Sequence, residues 1–120
     1  MMTMAQSLLA MLKADTALAA LISTRIYRNR MPKTATLPNI VFQRISTVKE
    51  YTHSKTVIHY PRWQFTCWSA TSDNADGIAN ALEDVINRNN MFVEGRTDGL
   101  ENETDLNYVR VEVSYFADKE

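Results

Sequence analysis

Cysteine is nearly absent from this 120-residue chain: Cys67 stands alone, which excludes an intramolecular disulfide and fits a reducing compartment. Glycine and proline are scarce, three of each, and no Gly-, Ser- or Pro-rich linker or internal repeat divides the sequence. Residues 1–120 therefore read as a single domain, long enough for one hydrophobic core and too short for two. No run of about 18 apolar residues occurs, so no membrane-spanning helix and no membrane partner are expected. Residues 1–12 lean apolar but lack a basic start and a small-residue cleavage site, and are not read as a signal peptide.

Chemical signatures are missing as well. HExxH, CxxC, the phosphate-binding GxxxxGKS/T and GxSxG do not occur. His53, His59 and Cys67 are the soft metal-ligand candidates, but a structural zinc site needs a fourth ligand, so no metal is expected. Cys67 shares a strand face with Trp63 and Phe65 and reads as a small core residue, inert without a positioned base. The carboxylates Asp98, Glu101, Glu103 and Asp105 do not follow EF-hand spacing and read as solvated. No acid–base pair or nucleophile is placed for catalysis, so neither an enzyme nor a cofactor is expected.

What the chain does have is charge segregated along its length. Residues 1–62 hold nine Lys and Arg against two Asp and Glu, a net of +7. Residues 63–120 hold four against twelve, a net of −8, so the total of −1 conceals two opposed halves. If folding keeps the halves apart, each copy carries a basic and an acidic surface. Such a monomer suits head-to-tail docking, which closes into rings or runs on as filaments. If folding mixes them, the pattern carries no such meaning.

Hydrophobic spacing orders the elements. Residues 5–13 form a helix with Leu8, Leu9 and Leu12 on one stripe. Asp15 caps a second helical piece over 16–22, either separate or continuous with the first across a kink. Residues 24–27 form a short extended piece, and a strand follows Pro38 over 39–48. A turn near 52–55 leads to a strand over 56–69, in which Pro61 marks an edge, a bulge or a break. Trp63, Phe65 and Cys67 alternate with Gln64, Thr66 and Trp68 there, the period of a strand with one buried face. Ser72 or Asp73 caps a helix running to about Arg88 with Ile78, Ala79, Leu82, Val85 and Ile86 at helical spacing. A short strand over 91–94, a polar loop over 95–105 and a strand over 107–116 close the chain. In that last strand Val109, Val111, Val113 and Tyr115 point inward. The order α-β-β-α-β-β predicts an α+β domain, an antiparallel sheet with its helices packed on one face.

The binding candidates follow from the charges. Arg28, Arg30 and Lys33 form the basic side, since arginine engages phosphates or carboxylates bidentately. Asp98, Glu101 and Glu103 form the acidic side. Tyr27 is the sole aromatic among the basic residues, so no stacking platform for single strands is indicated. Met31, Tyr51 and Trp68 are the expected apolar anchors.

Three segments carry a family resemblance. The first is Leu-x-Ala-Asp-x-Ala-Leu-Ala-Ala-Leu from Leu12 to Leu21. The second is Arg25-Ile26-Tyr27 followed by Leu37-Pro38-Asn39-Ile40-Val41. The third is Trp63-Gln64-Phe65-Thr66-Cys67-Trp68-Ser69 with Ala75 and the helix to Ile86, and the closing strand from Tyr108 to Phe116 also fits. In that order they resemble the tail-completion proteins of long-tailed bacteriophages, the tail-terminator or tail-to-head joining family. The resemblance implies an α+β subunit of a ring, commonly a hexamer, assembled in the host cytoplasm. That ring caps the tail tube at its head-proximal end, meets the tail tube protein and the head-connector or neck proteins, and passes DNA through its lumen, with Asp98, Glu101 and Glu103 either at a subunit interface or lining that lumen. It implies no catalysis. Two alternatives stand beside it: a neck or head-completion protein on the portal side, and a small nucleic-acid-binding regulator using the basic half. The sequence pI of about 6.1 weighs against the latter.

Overall fold

A computed structural model describes residues 4–32, 36–51, 57–89, 91–101 and 106–114. Helix α1 (Met4–Ala14) buries Ala5, Leu8 and Leu12, and the chain turns at Asp15 into α2 (Thr16–Ile22), bent 87° away. These are two helices, not one kinked helix. Asp15 has extended backbone, and its carboxylate accepts the Leu18 amide at 2.8 Å. The second carboxylate oxygen accepts the Arg88 guanidinium at 2.6 Å, which ties α2 to the end of α3 (Ser72–Arg88).

The Leu18 amide first and Arg88 second hold the Asp15 carboxyl below its ordinary value of 3.8. A depressed folded-state pKa contributes stability above the unfolded value, and that stability is lost as pH falls through the folded one. Asp15→Asn keeps a capping side chain but cannot titrate, so its stability is expected to decline less steeply than wild type below about pH 4. Circular dichroism during acid titration reads this; an identical acid limb would show that Asp15 contributes nothing to it.

Five strands form one sheet: β1 (Ile26–Arg28), β2 (Asn39–Tyr51), β3 (Val57–Ser69), β4 (Phe92–Glu101) and β5 (Leu106–Ser114), in the order β1-β2-β3-β5-β4. The α+β class holds, but the expected element order and purely antiparallel sheet do not. Ile26–Arg28 is a strand in its own right, pairing parallel with β2 in the register Ile26↔Ile40. The chain from Arg28 to Asn39 leaves β1 and returns beside its start, which makes parallel pairing the outcome.

A second correction concerns the polar loop expected over 95–105. Residues 95–101 continue β4, paired to β5. Both glycines there lie within the paired strand: a Cβ on Gly99 would overlap the Tyr108 ring on β5, while Gly95 follows a register irregularity and has open space around it. The α3 cap is Thr71, whose hydroxyl accepts the Asn74 amide at 3.2 Å, not Ser72 or Asp73. The turn expected near 52–55 and the inward Tyr115 lie outside the described residues.

All three helices contribute to one core on one sheet face. Ile78, Ala79, Leu82, Val85 and Ile86 of α3 join Ile40, Phe42, Trp63, Phe65 and Cys67 with the Val109, Val111 and Val113 row. The Phe42 ring lies 5.6 Å from Phe65 and 6.0 Å from Trp63, so aromatics fill the centre. The opposite sheet face carries no helix among the described residues.

β2 and β3 outrun their neighbours. Among the described residues β1 covers β2 over Ile40–Phe42 and β5 pairs with β3 from Arg62 onward, whereas the β2–β3 ladder continues to Tyr51↔Val57. Among the described residues, 46–51 and 57–61 thus pair with each other alone, as a two-stranded arm. The molecule is 51 Å long and 29 Å wide, and its radius of gyration of 15.1 Å exceeds the roughly 14 Å of a compact chain this size. Pro61, read as an edge, a bulge or a break, lies within β3 in register with Thr47 of β2, next to Arg62, which pairs with Ser114.

Candidate functional site

Alternation along β2, β3 and β5 places Val41, Gln43, Gln64, Thr66, Trp68 and Arg110 on the open face, because their neighbours in sequence are the buried core residues. There they floor a trough of about 420 Å³. Its β1 side is raised by Asn29, Arg30 and Met31. Asn29 adopts φ of 71°, a left-handed conformation that asparagine tolerates, and its amide donates to the Phe42 carbonyl at 2.8 Å. That turn carries Arg30 and Met31 up from the β1 edge onto the open face. The other side is closed by Glu101 and Leu106, where β4 and β5 pair at their ends. Trp68 and Tyr108 pack at 5.2 Å, and the Arg110 guanidinium lies 5.2 Å from the Tyr108 ring centre.

The sheet order answers the question posed by the charges. β1 and β2 belong to the basic half of the sequence, and β5 and β4 to the acidic half, with β3 between them. Four strand spacings put about 19 Å between the β1 and β4 edges. Arg28 is exposed at the end of β1, and Asp98 is exposed on β4. Arg96, the basic residue of β4, does not offset that acidity outward: it donates to Glu83 at 2.7 Å and to Asp76 at 2.9 Å on α3. Burial works against its charge, but these carboxylates outweigh burial and raise its pKa above the ordinary value.

Of the residues chosen from sequence, the trough gathers Arg30, Met31, Trp68 and Glu101. Arg28 and Asp98 stand apart from it, on opposite sheet edges. Asp98 pairs in register with buried Val109, and Glu101 with Leu106, so the two acids share a strand but lie on opposite faces. Lys33 and Glu103 lie outside the described residues. Gln43, Thr66 and Arg110 were not singled out from sequence, although strand alternation marks each as outward.

Burial pushes the Cys67 thiol up to about 12, so it is a protonated core group at neutral pH. Among the described residues no three His, Cys, Asp or Glu side chains group as a metal site.

Among the described residues the structure is thus a helix-backed sheet with an open trough, a basic β1 edge and an acidic β4 edge. Residues 6–117 match the family described as Tail completion protein gp17. The chain belongs to that family, and its role is structural, in building the tail region of a phage-type virion. The fold is similar to that of a chain in the structure described as "Virion of native gene transfer agent (GTA) particle", with a TM-score of 0.76 at 13% identity, covering 89% of this chain and 88% of that one. Among curated proteins, none matches.

Proposed function

We propose that this chain is the subunit of a ring, a hexamer, that terminates the tail tube and joins it to the head connector. The observation that carries this reading is the separation of charge onto opposite sheet edges. A basic β1 edge and an acidic β4 edge about 19 Å apart cannot meet within one copy, but they complement each other between copies. A contact between two different surfaces closes into a ring when its rotation returns to the starting copy, and the proposed hexamer is such a closure. The tail tube protein and the head-connector proteins are its neighbours at the head-proximal end of the tail. DNA passes through the lumen, where acidic residues keep it from adhering, and the chain itself performs no catalysis.

Native mass spectrometry at low and at moderate salt, with and without isolated tail tubes, tests the reading. A closed hexamer, or a monomer–hexamer mixture that salt shifts toward monomer, is the expected result, because screening weakens exposed charge pairs. A monomer at every salt concentration that also fails to bind tail tubes would overturn it.

A further inference from the structure

Among the described residues, two strands of this sheet have no neighbour along one side. Beyond Phe42, where β1 stops, the outer flank of β2 over residues 43–51 has no neighbouring strand among the described residues. β4, residues 92–101, is likewise uncovered on its outer side. Each strand carries one irregularity, between Arg44 and Ser46 and between Val93 and Gly95. Regular stretches of similar length remain, 46–51 and 95–101.

Unpaired strand edges are templates for another chain, and soluble proteins usually blunt them with charge, proline or a cover. Here the charges on the two edges are of opposite sign. Arg28 and Arg30 stand exposed at the base of the β2 flank, and the Arg44 guanidinium lies 4.9 Å from the Trp63 ring centre. β4 carries Glu94, Asp98 and Glu101, and its Arg96 is taken up by Asp76 and Glu83. Exposed apolar residues concentrate on the same strands. Of the four large exposed apolar side chains among the described residues, three lie on them: Ile45 (45% exposed) on β2, and Phe92 (60%) and Leu100 (51%) on β4.

We infer that residues 43–51 of one copy pair with the free edge of β4 in a second copy, joining neighbouring subunits as one continuous sheet. Backbone hydrogen bonds hold the joint, the exposed apolar residues bury against the partner, and the opposite charges select the right edge. The inference rests on the ring reading, whose interface it specifies.

Two variants test it, Lys49→Cys on the arm and Thr97→Cys on β4, each made separately, mixed, and treated with a short bismaleimide. Cys67 is buried and stays unreactive. Cross-linked dimers in the mixture and in neither variant alone, in a sample that native mass spectrometry shows as a closed ring, are the expected result. A closed ring without cross-linked dimers would overturn the arm-to-edge joint and leave the ring standing. Cross-linked dimers in open chains would uphold the joint and overturn the ring. Monomers without cross-links would overturn both.

Discussion

Replacing Phe65 with alanine is expected to lower the unfolding free energy by about 3–5 kcal/mol, out of a total on the order of 5–15 kcal/mol. The residue is fully buried on β3, the middle strand, paired to Phe42 on one side and Val111 on the other. Its ring stacks on Phe42 at 5.6 Å with planes 19° apart. Flanking strands fixed by their ladders have little freedom to collapse into the space left, so a cavity penalty adds to the lost burial. Phe65→Leu keeps much of the volume and is expected to lose less. Urea unfolding of the three proteins measures the effect as a fall in midpoint at unchanged slope. A midpoint equal to wild type in Phe65→Ala would mean that the sheet closes around the missing ring.

The second large effect belongs to assembly. The double charge reversal Arg28→Glu, Arg30→Glu is expected to leave the monomer folded and to block the ring. Both side chains are exposed, and neither enters the core. Arg28 ends the strand that forms the basic edge, and Arg30 borders the trough that Glu101 closes from the other side. Reversal removes attraction and adds repulsion at every joint of the proposed ring. The concentration needed for assembly should therefore rise roughly tenfold or more, most visibly at low salt. Native mass spectrometry should show monomer, with a far-ultraviolet circular dichroism spectrum matching wild type. Unchanged oligomer size in the double variant would remove both arginines from the interface.

The local elements of this fold were legible because their signals are local. The burial of Trp63, Phe65 and Cys67, and of Val109, Val111 and Val113, follows from a period of two along each strand. The α3 stripe follows from helical spacing, and the Asp15 cap from a short polar side chain ahead of an apolar run. Gly95 and Gly99 misled for a related reason. Glycine signals a turn when only its own backbone is considered, and the Tyr108 ring that lies against Gly99 comes from another strand. The three-residue β1 was too short to show a period, and its parallel pairing depends on where the chain returns.

The candidate surfaces divide along the same line. That one half of the chain is basic and the other acidic is a property of the sequence, as are the lone cysteine, the missing catalytic signatures and the segments that mark the tail-completion family. Whether those halves would face apart or interleave depended on strand order. The order β1-β2-β3-β5-β4 sends them to opposite edges, and it also brings Arg30 and Glu101 to the two sides of one trough. Charge and hydrophobic period are carried residue by residue, so the sequence alone determined them. Strand partners, free edges and the trough arise from contacts between distant segments, and only the tertiary structure decided those.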